Sequence, residues 1–347
     1  MHAIPVGRRA EKRSAFRRMH RALAEGAALF RPTVFMGTCL FAMSGAVLAG
    51  PLAENLHSAW SAPRAAELAA TSAQLTPAIE SLCAATAAEA ALQDARQHWL
   101  NAMFAWERLS AVAIGPVLER RSQRQIDFTP TRPRLIDKAV KSAPTSAAEM
   151  ELIGTPAKGL PALEWLLWVK PIQPASAECR YAVQLAAEIG READALAAAH
   201  MAPTEPQAAL SELVNQWIGG LERLRWANME MPARVAQTGH NEIPDFPRRA
   251  SSASATSWAA QWDALRELAS GAVSLQSMLR ERQQPKTTEA LAQAIHQVDA
   301  SMQNLAANDT PRILAAAKAL AALKRLVENE VAPVLGVNIG FSDADGD

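Results

Sequence analysis

The chain has 347 residues, of which 49% are hydrophobic, and its formal net charge is zero. This length allows two ordinary domains, and long Ala/Leu/Glu/Gln/Arg stretches with few β-branched runs favour helix. Eight Lys/Arg and two Glu give residues 1–32 a net charge of +6, so the remainder carries −6. Because that remainder has no basic stripe of the kind that phosphate backbones require, we expect no nucleic-acid partner.

The first fifty residues have the pattern of an export signal. An uninterrupted apolar run from Thr33 to Ala49 follows the basic segment, and Ala49 is the small residue that signal peptidase needs before its cut. We predict a signal peptide over residues 1–49 and a periplasmic location. An uncleaved anchor is the alternative, although 17 residues are at the short limit for crossing a bilayer. Membrane contact is expected only through this segment.

Export would leave two cysteines, Cys83 and Cys179, in the mature chain. In an oxidising compartment two lone cysteines usually pair. Their bridge would close a loop of about a hundred residues, a constraint worth about 4 kcal/mol in the chain-entropy model. We predict this disulfide, and two buried free thiols are the alternative.

Helical periodicity dominates the rest of the chain. Apolar residues recur at helical spacing from Leu75 to Val112, which predicts two helices. Residues 116–160 and 232–254 show little periodicity, and long irregular stretches of this kind are often functional. Further helices are predicted over residues 160–169, 175–201, 207–229, 256–283, 287–307 and 311–334.

These patterns predict an all-α protein made of two packed helical-bundle halves with long irregular loops. The Pro-containing segment Ala202–Pro206 is the candidate boundary, which gives halves of residues 50–202 and 203–347. The pairs Trp99/Trp106 and Trp217/Trp226 lie at comparable places in the two halves, which raises duplication as a hypothesis.

A Pro/Gly-rich loop and a short, very apolar helix carry a single carboxylate, Glu164. Pro161 suits the first helical position. A helix that is hydrophobic on all sides is normally buried, so Glu164 needs a partner inside an apolar interior. The functional interpretation is a ligand or acid/base group in a pocket. The structural alternative is a first-turn Glu that the helix dipole stabilises and that pairs with a buried Arg or Lys, Lys158 being one candidate.

The segment from Thr155 to Leu167 (TPAKGLPALEWLL) closely resembles the signature segment of imelysin-like proteins. The ending from Leu335 to Asp347 looks like the family's ending, and Phe128-Thr129-Pro130, Cys83 and Cys179-Arg180-Tyr181 are similar as well. The resemblance covers the whole mature chain. It implies an exported bacterial protein, periplasmic or anchored in the outer membrane, with an all-helical fold of two bundle-like halves. It also implies an association with iron or haem acquisition, and a metallopeptidase activity was assigned to the founding members.

One position departs from the family pattern. The family's metal motif is GxHxxE, whereas this chain reads Gly159-Leu160-Pro161-Ala162-Leu163-Glu164. Proline has no lone pair to offer a metal, so a His–Glu pair three residues apart cannot form. Glu164 is then the one motif residue left as a metal candidate, and the resemblance assigns no catalytic residue. A related branch of the family carries Pro at this place.

The predicted ligand-binding residues come from the motif, the second irregular stretch and the tail. Two arginines of that stretch can hold a carboxylate or a haem propionate bidentately, although a plain surface loop is the alternative. The tail carboxylates resemble the start of a calcium loop without its twelfth-position Glu, and a packed or solvated terminus is the alternative there. The set is Lys158, Gly159, Pro161, Glu164, Trp165, Trp106, Arg248, Arg249, Ser251, Phe341, Asp343 and Asp345.

We therefore expect an exported imelysin-like protein associated with iron or haem uptake. It would act by binding a ligand, iron or haem, or an envelope protein of the uptake system, and not by catalysis. One alternative is a zinc-dependent peptidase, which needs a set of metal ligands other than the family motif. The other is a pure interaction module in the cell envelope.

Overall fold

The computed structural model describes residues 55–86, 88–200, 205–239 and 243–340. The predicted signal peptide (residues 1–49) and the tail residues Phe341, Asp343 and Asp345 lie outside these ranges. Within them all regular structure is helical and no β-strand occurs, so the all-α prediction is confirmed. None of the described helices is both long enough and apolar enough to cross a bilayer.

Helices of very different length follow one another along the chain. The first nine are α1 (Ala62–Ser72), α2 (Leu75–Ala84), α3 (Ala88–Ser110), α4 (Pro116–Glu119), α5 (Ser122–Ile126), α6 (Pro133–Ser142), α7 (Ala147–Glu151), α8 (Gly159–Glu164) and α9 (Ala177–Ala198). The others are α10 (Pro206–Glu222), α11 (Met231–Thr238), α12 (Ser254–Ser270), α13 (Leu275–Glu281), α14 (Pro285–Met302), α15 (Thr310–Leu326) and α16 (Ala332–Val334). A 3₁₀ turn (Thr155–Ala157) precedes α8, and π-helical segments comprise His57–Ser61, Trp165–Val169, Arg223–Glu230 and Val327–Val331.

The two helices predicted between Leu75 and Val112 are α2 and α3. The stretch 116–160 is more helical than its sequence indicates, because it contains α4 to α7 and the 3₁₀ turn. α4, α5 and α7 are too short to display an apolar period. α6 does place Ile136, Ala139 and Val140 at helical spacing, and sequence reasoning missed it. The single helix predicted over 256–283 is wrong. Helix α12 ends at Ser270, the N–H of Gly271 donates the last hydrogen bond of that helix to the Glu267 carbonyl at 2.7 Å, and a separate helix, α13, begins at Leu275.

Two hydrophobic cores lie within the described part of the chain. The first is built mainly by α1, α2, α3 and α9 around the fully buried Trp99 and Trp106. The second is built mainly by α10, α12, α14 and α15 around Trp217 and Trp258. Helix α3 packs on α1 and α2 and also on α12. It therefore connects the first core to the second.

The assignment of residues to the two cores follows the chain only in part. Leu56 and Trp60 from the N-terminal side belong to the second core, whereas Ala253 belongs to the first. All described residues lie in one compact unit. The boundary near residue 203 and the duplication hypothesis stay predictions.

A disulfide joins Cys83, near the end of α2, to Cys179 in the first turn of α9, as predicted. The two Cα atoms are 5.7 Å apart. The Ser176 hydroxyl caps the same end of α9 by accepting a hydrogen bond from the Cys179 N–H at 3.1 Å. The cap satisfies a backbone donor that has no intrahelical partner, and together with the disulfide it fixes the start of α9 against α2.

Candidate functional site

Buried aromatic side chains hold the loop in front of α8. The Tyr181 hydroxyl donates to the carbonyl of Ala157 at 2.7 Å, and the Trp99 indole N–H donates to the carbonyl of Leu160 at 3.1 Å. Both aromatic residues are almost completely buried. Because buried carbonyl groups need such partners, these bonds fix the path of the loop and the start of α8.

Gly159 begins α8 in a conformation that only glycine accepts. Its φ is 71°, and a Cβ at this position would lie 2.2 Å from the carbonyl oxygen of Ile126. Lys158 just before it is 7% exposed and donates from Nζ to Oε1 of Glu188 at 2.6 Å. The partner of Lys158 is therefore Glu188, and the pairing with Glu164 considered from the sequence is wrong.

A cavity of about 610 Å³ opens beside α8. Four stretches contribute its walls: residues 129–133, 161–169, 227–232 and 245–250. This volume lies within the range of ordinary small-molecule pockets, which combine apolar walls with a few polar groups. The lining residues are Thr129, Pro130, Thr131, Pro133, Pro161, Glu164, Trp165, Val169, Ala227, Asn228, Met231, Pro232, Asp245, Phe246, Pro247, Arg248, Arg249 and Ala250.

Glu164 is 5% exposed and is held by one residue of the second irregular stretch. Its Oε1 atom accepts two hydrogen bonds from Ser251, from the backbone N–H at 2.9 Å and from the hydroxyl at 2.6 Å. Its Oε2 atom has no hydrogen-bond partner among the described residues. Glu164 ends α8, so the alternative of a first-turn Glu stabilised by the helix dipole does not apply.

Arg248 forms the centre of a buried charge cluster next to Glu164. Its Nε atom lies 3.1 Å from Oε1 of Glu107, and its Nη2 atom lies 2.7 Å from Oδ2 of Asp127. The same Asp127 oxygen accepts the indole N–H of Trp106 at 3.2 Å. Arg248 has a φ of 63°, a conformation that costs free energy for a non-glycine residue. The ion pairs offset that cost.

A chain of polar side chains runs from Glu107 to the cavity. The Ser257 hydroxyl donates to Oε1 of Glu107 at 2.8 Å and accepts from Nε2 of Gln261 at 3.1 Å. Oε1 of Gln261 in turn accepts from Nδ2 of Asn228 at 2.9 Å. Asn228 lines the cavity.

Burial and neighbouring charges shift the acid–base properties of this cluster. Burial is the largest influence on Glu107 and raises its pKa, although Arg248 acts in the opposite direction. Burial alone would lower the pKa of Arg248, but Asp127 and Glu107 outweigh it, so that pKa is raised. Burial also lowers the pKa of Arg223, whose Nη2 atom donates to the carbonyl of Ser110. Arg248 therefore stays charged while Glu107 is easier to protonate than an exposed carboxyl group.

Of the nine predicted ligand-binding residues that the structure describes, six lie together at the cavity. Pro161, Glu164, Trp165, Arg248 and Arg249 line the cavity, and Ser251 bonds Glu164 directly. Three others do not line it. Lys158 directly precedes α8, Gly159 is its first residue, and Trp106 is the fully buried indole that bonds Asp127.

Sequence reasoning missed Glu107, Asp127 and Asn228. For Glu107 a signal was present. It lies four residues after Met103 and beside Trp106, on the apolar stripe of α3, and a charged residue on such a stripe needs a buried partner. Asp127 and Asn228 lie in a short connection and in a π-helical segment, where no periodic pattern separates buried from exposed positions.

The described residues do not fit a zinc site at Glu164. Pro161 occupies the position of the motif imidazole, and Oε1 of Glu164 already accepts two hydrogen bonds from Ser251. Among the residues that the structure describes, no three His, Cys, Asp or Glu side chains are grouped to hold a metal ion. A catalytic zinc ion requires three protein ligands.

Two solved structures of low sequence identity share this fold. One is an imelysin-like protein from Psychrobacter arcticum 273-4, with a TM-score of 0.68 and 17% identity over 84% of this chain and 97% of that chain. The other is a candidate iron-regulated protein A precursor from Parabacteroides distasonis ATCC 8503, with a TM-score of 0.67 and 12% identity over 83% of this chain and 94% of that chain. No curated protein sequence matches the chain.

The family assignment comes from the sequence itself. The family model for Imelysin, Peptidase_M75, matches residues 61–332. This match includes the loop and helix that carry Glu164, the buried cluster around Arg248, the first hydrophobic core and most of the second. Because the match spans well over half of the sequence, the chain belongs to the imelysin family.

Proposed function

We propose that this protein is an exported, periplasmic member of the imelysin family that binds a ligand of iron or haem uptake in the Glu164 cavity. The observation that carries the proposal is a carboxylate that is 5% exposed yet lines a cavity of about 610 Å³. A buried carboxylate is costly unless it is paired, and a bound ligand would supply the pairing that Oε2 lacks. The name of the Parabacteroides relative, an iron-regulated protein A precursor, supports the association with iron.

Binding is favoured over catalysis because the described residues at the cavity do not form the metal site of a peptidase. Arg248 is paired with two carboxylates, and Glu164 is held by Ser251. The described lining contains no histidine or cysteine that could act as a general base or nucleophile. A peptidase would need a metal-bound or otherwise activated water at this place.

Titration of the purified protein with haem, Fe²⁺, Fe³⁺ and Zn²⁺ tests this function. We expect saturable binding of haem or iron at micromolar levels, followed by quenching of tryptophan fluorescence, because Trp165 lines the cavity. Glu164→Gln is expected to weaken binding at least about tenfold, since hydrogen bonds to charged groups are the strong ones. Glu281→Gln, on an exposed position of α13, is the matched control. Absence of binding, or equal binding by both variants, would contradict the proposal.

The peptidase alternative is tested with the same variants. If both a chelator and Glu164→Gln abolish proteolysis by the purified protein, the result would support the peptidase alternative over ligand binding. Proteolysis that both variants retain equally would indicate a contaminating enzyme.

The proposed periplasmic location is tested by fractionating the cells that produce the protein. We expect the protein in the periplasmic fraction with Gly50 as its first residue. Recovery in the membrane fraction with residues 33–49 still attached would favour the anchored alternative.

We further propose an envelope protein of the uptake system as a partner at the mouth of the cavity. Val169 and Met231 line the cavity and are 46% and 39% exposed. Exposed apolar residues beside a binding site are common in protein contacts. Pull-down from membrane fractions is expected to lose the partner on Met231→Asp and to keep it on Glu281→Gln. Retention of the partner by Met231→Asp would contradict this surface.

A further inference from the structure

The Glu164 side chain offers one oxygen atom to the cavity. Ser251 supplies both hydrogen bonds of Oε1, at 2.9 and 2.6 Å, whereas Oε2 has no partner among the described residues. A carboxylate has acceptor sites on both oxygens and no donor. A group that completes the site must therefore bring a donor or a positive charge.

Asn228 offers a second acceptor, its side-chain oxygen Oδ1. The hydrogen bonds that connect Asn228 to Glu107 through Gln261 and Ser257 engage the amide nitrogen of Asn228 and leave this oxygen free of them. An ionised Glu107 can only accept, so the Ser257 hydroxyl donates to it and must accept from Gln261. The Gln261 carbonyl then accepts from Nδ2 of Asn228. Oδ1 of Asn228 is the amide atom left without a partner among the described residues, and Asn228 lines the cavity.

The carboxylates at and next to the cavity outnumber the guanidinium groups by one. Three buried carboxylates, Glu107, Asp127 and Glu164, lie near the buried guanidinium group of Arg248. The partly buried Arg223 also acts on Glu107 and Asp127. When all five are ionised, one negative charge is in excess. A proton on Glu107, whose pKa burial raises, or a cationic ligand group would remove that excess. Arg249 and Asp245 at the rim pair with each other at 3.4 Å and do not change this balance.

The remaining walls suit an organic cation better than a hydrated ion. Trp165 and Phe246 contribute aromatic surface, and Pro161 and Pro247 contribute apolar surface. An ammonium group with an alkyl stem can place its charge at the carboxylate while the stem contacts these walls.

We propose that the cavity binds its ligand through a primary ammonium group, which donates to Oε2 of Glu164 and Oδ1 of Asn228 while its alkyl stem lies along Trp165 and Phe246. The inference rests on the cavity being the ligand site, as in the proposed function, but not on iron or haem being the ligand.

Calorimetric titration of the purified protein with n-hexylammonium chloride tests the inference directly. n-Hexanol and sodium hexanoate have the same stem with a neutral or a negative head group. We expect the ammonium compound to bind at least about tenfold more tightly than the alcohol, because its hydrogen bonds are charge-assisted. The carboxylate compound should not bind.

Two variants separate a specific site from an apolar cavity. Glu164→Gln keeps an acceptor for Ser251 but loses the charge, and it should weaken ammonium binding at least about tenfold. Asn228→Leu should weaken it about three- to tenfold. Neither variant should change the binding of n-hexanol by more than about twofold, and Glu281→Gln should leave both ligands unaffected. This differential readout detects a variant that has merely lost its fold, since such a variant would lose the alcohol as well.

Each outcome decides the matter. Equal binding of the ammonium compound and the alcohol, or ammonium binding that survives Glu164→Gln, overturns the inference. Binding of haem or iron that the ammonium compound cannot displace leaves the proposed function standing and overturns this inference. Ammonium binding without any haem or iron binding supports the inference and contradicts the iron association.

Discussion

The guanidinium group of Arg248 and the carboxylate of Asp127 lie 2.7 Å apart, although only 2% and 9% of the two side chains are exposed. Asp127 directly follows α5, and Arg248 belongs to the loop that lines the cavity. Removing one partner of such a pair leaves an uncompensated buried charge. The pair therefore links the cavity loop to the first part of the chain by charge as well as by packing.

The first prediction concerns this pair. Arg248→Met is expected to lower the free energy of unfolding by about 3–5 kcal/mol, because it removes the only cation that the described residues pair directly with the buried Glu107 and Asp127. Urea denaturation measures the change. Arg249→Met is the control, since that side chain is 50% exposed and pairs with an exposed Asp245, and a change within about 0.5 kcal/mol is expected. Equal effects of the two substitutions would contradict the buried cluster.

Two glycines inside long helices are predicted to respond to alanine with opposite signs. A Cβ at Gly220 in α10 would lie 1.8 Å from the carbonyl oxygen of Ala111, whereas a Cβ at Gly190 in α9 meets only the Ser72 carbonyl oxygen, at 4.0 Å. Gly190→Ala should stabilise by up to about 1 kcal/mol through helix propensity. Gly220→Ala should destabilise by about 1–3 kcal/mol through overpacking. Thermal unfolding of both variants checks this, and a stabilising Gly220→Ala would show that α10 and Ala111 are farther apart.

The third prediction is that Glu107 makes the stability of the protein depend on pH. Its pKa in the folded protein is raised above the ordinary value of 4.5, chiefly by burial. Between pH 4.5 and its folded pKa, Glu107 is protonated in the folded protein but ionised in the unfolded chain. The contribution of Glu107 to the stability of the fold is therefore complete below pH 4.5 and is lost as pH rises through the folded pKa. The stability of Glu107→Gln relative to the unsubstituted protein should therefore rise with pH from about 4 to 8. Urea denaturation across this range measures it, and a flat or falling difference would contradict the raised pKa.

The disulfide gives a fourth prediction. It joins residues 96 positions apart, and a loop of this length corresponds to about 4–5 kcal/mol in the chain-entropy model. The double variant Cys83→Ser/Cys179→Ser should lose about this amount in denaturant unfolding. A reducing agent should bring the unsubstituted protein to the same stability and leave the double variant unchanged. A reductant effect on the double variant would point to another cause.

The long helices were predictable because their apolar residues repeat often enough to define a face. α3 shows this well, since Trp99, Met103 and Trp106 are all completely buried at helical spacing. The short helices α4 to α7 have one or two buried apolar residues apiece, or three in α6. In α4, α5 and α7 a pattern of that length does not distinguish helix from loop, whereas Ile136, Ala139 and Val140 of α6 do have helical spacing and went unrecognised.

Part of the candidate site was predictable as well. The burial of Glu164 follows from the apolar helix around it, and Arg248 and Ser251 were named from the second irregular stretch. Glu164 and Ser251 lie 87 positions apart in the sequence, and no local sequence pattern predicts a contact over that separation. The position of Glu107 on the apolar stripe of α3 did indicate burial, but its partner, Arg248, lies 141 positions later and no local pattern indicates that contact. Asp127 had no such local signal.

Two of the helical segments that border the cavity are π-helical, Trp165–Val169 and Arg223–Glu230. A π-helical turn bonds each residue to the fifth along and so accommodates one residue more than an α-helical turn. Trp165–Val169 ends its helix, whereas Arg223–Glu230 lies between α10 and α11. In evolutionary terms Arg223–Glu230 therefore corresponds to a single-residue insertion into an ordinary helix. Family members whose cavity walls are built differently should therefore align with this chain through a one-residue gap at Arg223–Glu230, while α10 and α11 on either side keep their register.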